Sequence, residues 1–113
     1  MRFQKMFTVL ILFGKPVDED EFDRYFDQEH YSLTVQLPNI RDVRVNKVIG
    51  AVEGASPYYL ALELGFESAQ LLQDSLNSDI GQAMAQDYKY FASGGVNVLV
   101  CQLDARSLTS AQV

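Results

Sequence analysis

The chain of 113 residues has one cysteine, one histidine, three prolines and no tryptophan. A lone cysteine, Cys101, excludes an internal disulfide framework and a cysteine-based zinc site. Set in the apolar run VNVLVC, it reads as a buried structural thiol. Basic residues are scarce: nine Lys and Arg stand against fifteen Asp and Glu, for a formal net charge of -6. Phosphate backbones are bound mainly through Lys and Arg, so no nucleic-acid partner is expected, and anionic membrane surfaces are disfavoured for the same reason. No run approaches the roughly 20 apolar residues of a membrane span. There is no glycine-rich phosphate loop and no G-x-S-x-G nucleophile elbow. One histidine with scattered carboxylates lacks the ligand count and spacing of a zinc site, so no metal is expected. The opening MRFQK-MFTVLILF lacks the small-residue cleavage site of a signal peptide; its apolar run is better explained as a strand, and a cytoplasmic location is expected.

What is present is enough apolar residue, 48% of the chain, to build one core. A single domain is expected over residues 1–104, with a polar tail over 105–113. Lys5 to Phe13 is apolar at nearly every position and reads as a strand, ended by Gly14 and Pro16. Asp18 to Leu37 reads as one amphipathic helix, capped by Asp18 with Glu21 three residues on, and stopped by Pro38. The acidic run Glu19-Asp20-Glu21 fits the helix dipole better than it fits a metal. Asn39 to Gly50 alternates as a strand. Tyr58 to Phe66 alternates more strongly, with Leu60, Leu62 and Leu64 on one face and Tyr59 and Glu63 on the other. Glu67 to Asn77 and residues 79–92 are helical, and Val96 to Leu103 is the last strand. The order β-α-β-β-α-β predicts an α+β, ferredoxin-like fold: an antiparallel sheet with its helices on one face. The opposite face keeps apolar residues beside Asn46, Tyr59 and Glu63. Such a face is unfavourable in water, and a second copy would cover it.

The helix over Asp18 to Leu37 carries the only histidine. At 3.6 residues per turn, Phe22, Phe26, His30, Leu33 and Leu37 share one side, so the imidazole looks inward. Imidazole is the side chain best placed to exchange protons near neutral pH. A structural histidine, satisfied by a backbone carbonyl or a carboxylate, is the competing explanation. Adjacent Glu29 is rotated about 100° away on a helix and fits a solvated edge better than a partner. Asp87 is expected to cap locally or to pair with Lys89 or an arginine.

The residues Phe22, Tyr25 and Phe26, leading to Glu29-His30-x-x-Leu33, then Leu37-Pro38, and Asp87-Tyr88-Lys89-Tyr90-Phe91 before the last strand, together resemble the EthD family of the dimeric α+β barrel superfamily. Two positions depart from its pattern. Ser32 stands where the family commonly has proline, and Asn39 stands for the glycine after Pro38, a position whose backbone Asn tolerates. The resemblance implies a homodimer with a cleft between sheet and helices. It leaves the reaction open, since the superfamily includes cofactor-free monooxygenases, polyketide cyclases, lactone isomerases and haem-dependent enzymes. The expected function is binding of a small apolar or aromatic metabolite, with His30 as general acid or base in cofactor-free oxygenase-, cyclase- or isomerase-type chemistry. A non-catalytic ligand-binding or accessory protein is the alternative. Tyr25, Phe26, Asn46, Tyr59, Glu63, Tyr88 and Phe91 are the candidate ligand contacts. No cofactor is expected; haem through His30 is disfavoured, because nothing else in the chain provides basic residues for the propionates.

Overall fold

The first strand, β1 (Gln4–Gly14), points Phe7, Val9, Ile11 and Phe13 to one face of a sheet and Met6, Thr8, Leu10 and Leu12 to the other. The structure, a computed structural model, describes residues 4–106. On one side β1 pairs antiparallel with β3 (Tyr58–Phe66), with Val9 opposite Leu64 and Ile11 opposite Leu62. On the other side it pairs antiparallel with β4 (Val96–Ala105), and β2 (Asp42–Lys47) completes the sheet beside β3. The strand order is β2-β3-β1-β4. The row Val9, Ile11, Phe13, Leu60, Leu62 and Leu64 is buried beneath the helices, as the alternation predicts. β4 runs to Ala105, two residues beyond the expected strand, and the tail from residue 107 lies outside the described residues. No helix among the described residues is long and apolar enough to cross a membrane.

The first helical segment departs from a single regular helix. It begins as α1 (Glu19–Tyr25), capped by the Asp18 carboxylate, which accepts from the Glu21 N–H. Glu21 does not complete a capping box; its carboxylate pairs with Arg24 instead. A π-helical turn follows over Phe26–His30, where the Tyr31 N–H reaches back to the Phe26 carbonyl, and α2 (Tyr31–Thr34) closes the segment. The reason lies in the spacing. Phe22, Phe26, His30 and Thr34 are all buried and all four apart. Steps of four drift by about 40° each on a 3.6-residue helix. A turn holding one extra residue takes up that drift. Leu33, expected on the inward stripe, is therefore half-buried, and the fully buried position is Thr34. The Thr34 hydroxyl is satisfied by the His30 carbonyl at 3.1 Å.

Helices α3 (Ala69–Asn77) and α4 (Asp79–Phe91) are capped by the hydroxyls of Ser68 and Ser78. They bring Leu72, Met84 and Phe91 onto the same core. Where α4 turns into β4, Gly94 lies against the end of β1. A Cβ on Gly14 would stand 2.2 Å from the Gly94 carbonyl oxygen, so the two chains meet only because both residues are glycine. Asn39 has φ of 67°, the left-handed conformation that its place in the Leu-Pro-Asn turn requires. Asn39→Val is expected to lower stability by about 1–2 kcal/mol and Asn39→Gly to be nearly neutral, as read by urea denaturation. Equal losses for the two would show that the backbone conformation is not what matters there.

Two expectations about facing are corrected. The β1–β3 register runs Phe13 to Leu60 and then Gly14 to Tyr58, so Tyr59 is an extra residue in a bulge. It turns to the helix side, where its ring meets Phe22 edge-on at 5.3 Å. Cys101, expected to be buried, is only half-buried and pairs in register with Thr8 on the uncovered face. That face also carries Leu10, Leu12, Leu99, Glu63 and Arg44. Along β4, Val98, Leu99 and Val100 are 45%, 47% and 63% exposed, so the helices leave both sides of this edge strand uncovered.

Candidate functional site

The π turn places the His30 imidazole in the core at 0% exposure. Its ring lies 4.8 Å from Phe91, 5.2 Å from Tyr88, 6.0 Å from Phe26 and 6.3 Å from Phe13, centroid to centroid. Its partner is Asp87 of α4, whose Oδ2 lies 2.8 Å from Nδ1. The other oxygen, Oδ1, accepts from the Tyr25 hydroxyl at 2.6 Å. An ionised carboxylate only accepts, so Nδ1 carries the proton. The remaining nitrogen, Nε2, then bears a lone pair; it is buried and has no hydrogen-bond partner.

Burial pushes the His30 pKa below its ordinary value, and the Asp87 carboxylate opposes that shift without cancelling it. The imidazole is therefore a neutral base near pH 7. The Tyr25 phenol is pushed up to about 12, first by its hydrogen bond to Asp87 and then by burial. Tyr88 is pushed higher still by burial and by the neighbouring Asp87 charge, so it stays protonated.

A cleft of about 300 Å³ opens between the sheet and the two later helices. Val9, Ile11 and Leu64 form its floor, and Met84, Ala85 and Tyr88 of α4 form its wall. His30 does not line it. Tyr88 does, while its ring also packs on His30, so this one side chain stands between the cleft and the imidazole. On the outer side of α4, Asp87 reaches a shallow surface depression that it shares with Tyr25, Gln86 and Tyr90, and its side chain keeps 13% exposure.

Of the candidate residues, the fold brings Tyr25, Phe26, Tyr88 and Phe91 together around His30. It does not bring Asn46 and Glu63 there. Both lie on the uncovered face, Asn46 opposite Ala61 and Glu63 between Leu10 and Arg44. Tyr59 braces the helix layer away from the imidazole: its hydroxyl donates to Asp23 at 2.8 Å, and burial with that bond pushes its phenol up to about 12. Asp87 pairs neither with Lys89 nor with an arginine but with His30, 57 residues earlier. Glu29 is exposed, as expected.

No family sequence model matches the chain. An uncharacterized 11.0 kDa protein from the thcB-thcC intergenic region of Rhodococcus erythropolis is 34% identical over 95 residues, covering 83% of this chain and 91% of the relative. The crystal structure of an ethyl tert-butyl ether D (EthD) family protein from Bacillus halodurans superposes with a TM-score of 0.81 at 28% identity, covering 85% of this chain and 96% of that one. The chain belongs to the EthD family. The EthD chain shares its ferredoxin-like fold with more distant structures. A dimeric ferredoxin-like protein of unknown function from Jannaschia superposes with a TM-score of 0.67 at 14% identity, over 87% of this chain and 99% of that one. SnoaB, a cofactor-independent oxygenase from Streptomyces nogalater, superposes at 0.59 with 9% identity, over 94% and 97% of the two chains.

Proposed function

We propose that this EthD protein is a cytoplasmic homodimer that binds an uncharged apolar or aromatic metabolite in the cleft between sheet and α4, and that His30 moves a proton to or from that ligand without a cofactor. The observation that carries this is the Nε2 lone pair. Asp87 fixes the proton on Nδ1, burial keeps the ring neutral, and Nε2 is left unpaired inside the protein. A buried polar atom without a partner is costly, and such atoms concentrate where a ligand supplies the missing bond. Removal of an acidic C–H or O–H proton is a first step that isomerisation, cyclisation and oxygenation of an activated carbon can share. Support for the dimer comes from the uncovered apolar residues of β4 and from the dimeric state named for the Jannaschia protein. Val98 of β4 sits at the rim of the cleft, so a second copy laid along this edge would also close its mouth.

One observation favours the non-catalytic alternative: the rings of Phe13, Phe26, Tyr88 and Phe91 close around the imidazole, and His30 does not line the cleft. The experiment that separates the two is hydrogen–deuterium exchange at the α-carbon of 2-acetylnaphthalene in D2O, followed by NMR. His30 would take the α-proton onto Nε2, leaving the electron pair as an enolate, and return a deuteron. Exchange above the buffer rate that is lost in His30→Gln is expected. Binding without exchange would leave a carrier in place of an enzyme. A monomeric mass by sedimentation equilibrium would overturn the dimer.

A further inference from the structure

Among the described residues, Tyr88 is the one side chain on the cleft wall that carries a hydroxyl. Its neighbours on α4 there, Gly81, Met84 and Ala85, have no side-chain hydrogen-bond donor. Among the described residues, that hydroxyl has no hydrogen-bond partner. A phenol on an apolar wall, half-buried and unpaired within the protein, can donate to an acceptor that enters the cleft. Among the described residues no lysine or arginine lines the cleft, and the carboxylate of Asp87 lies next in sequence on the same helix, so an anion finds no counter-charge there. We infer that Tyr88 selects the ligand by donating its hydroxyl hydrogen to an uncharged acceptor oxygen, a carbonyl or ether, on an otherwise apolar molecule.

The inference rests on the cleft being the ligand site, as proposed above. It goes further by naming the group that the ligand must carry and the residue that detects it. Tyr88 is placed here as a specificity-determining residue. Its ring also packs on His30, with centroids 5.2 Å apart, so the residue that would hold the ligand's oxygen is a neighbour of the imidazole. The chemistry favours ketones over hydrocarbons of the same shape, and both over carboxylates. Because the phenol stays protonated through the whole neutral range, this preference should not change between pH 6 and 9.

The test is isothermal titration of the full-length protein with three probes of matched shape: 2-acetylnaphthalene, 2-ethylnaphthalene and 2-naphthoate. For the native protein the ketone is expected to bind about tenfold more tightly than the hydrocarbon, the worth of one good hydrogen bond, and the carboxylate to bind worst. Tyr88→Phe keeps the ring and removes only the hydroxyl. It should abolish the ketone's advantage and leave the hydrocarbon's affinity unchanged, which also shows that the variant's cleft is intact. A ketone preference that survives in Tyr88→Phe overturns the inference while leaving the cleft as the ligand site. Equal losses for ketone and hydrocarbon overturn it too, since Tyr88 would then act by shape. Failure of all three probes to bind the native protein would sink the cleft itself and the inference with it.

Discussion

Phe13→Ala is expected to cost about 3–5 kcal/mol of folding stability, measured by chemical denaturation. Phe13 has no exposed surface and sits where the strand meets the helix layer. Its ring meets Phe22 at 5.4 Å, Phe26 at 6.2 Å, Tyr88 at 5.8 Å and Phe91 at 5.5 Å, with His30 at 6.3 Å. These partners come from α1, the π turn and α4, so their backbones cannot all collapse into the space a truncated side chain leaves. Truncation forfeits both the transfer free energy and the contacts around the cavity, and it falls at the upper end of such substitutions for that reason. Phe13→Leu fills most of the volume and should lose much less. A loss below about 1 kcal/mol for Phe13→Ala would mean that the aromatic cluster relaxes freely, contrary to its interlocked geometry.

Asp87→Asn should shift the His30 titration downward. The chain has one histidine, so its imidazole signals in NMR report this site alone. In the native protein burial lowers the His30 pKa and Asp87 partly restores it; taking away the carboxylate leaves burial unopposed. The sign for stability follows by linkage. The unfolded chain takes up a proton near the ordinary histidine pKa of about 6.5, whereas the folded protein resists until lower pH. The neutral buried ring therefore contributes stability that is fully present above that value and is lost as the pH falls from it toward the folded pKa. In Asp87→Asn the loss should continue to lower pH, because the folded pKa has moved down. Asp87→Ala goes further. It leaves the buried Nδ1–H unsatisfied, at a cost of about 1–3 kcal/mol near neutral pH, and frees the tautomer that Asp87 imposes. A His30 pKa that rises or stays fixed in Asp87→Asn would show that the carboxylate does not act on the imidazole as the 2.8 Å contact requires.

The β-α-β-β-α-β order of elements, the two-layer arrangement and the inward histidine were legible because alternation and helical spacing follow directly from backbone geometry. The cap at Asp18 and the turn at Asn39 were legible for the same local reasons. Three features were not. The bulge at Tyr59 breaks strict alternation by one residue, and nothing in YYLALELGF marks where. The move from Leu33 to Thr34 depends on a π turn, which appears in sequence only as a run of fours. The pairing of His30 with Asp87 is the most consequential, because it joins helices 57 residues apart while a lysine beside Asp87 offers a simpler local partner. One signal was available. Met84, Asp87 and Phe91 recur at helical spacing, so a carboxylate falls within an inward stripe, where an unpaired charge would be expensive. An inward-facing acid on one helix and a buried base on another are candidates for each other.

The π turn also bears on descent. An i to i+5 turn inside a helix is, in effect, one inserted codon, tolerated because the surplus residue stays local. In kin of this protein, gain or loss of one residue between Phe26 and His30 that the turn did not absorb would leave every strand untouched yet rotate the rest of the helix by about 100°. Residues that look equivalent when such sequences are lined up without a gap would then face different directions. The histidine could be shared in the text and absent from the core, so kinship at this site is to be judged by the register of the turn and not by the letter alone.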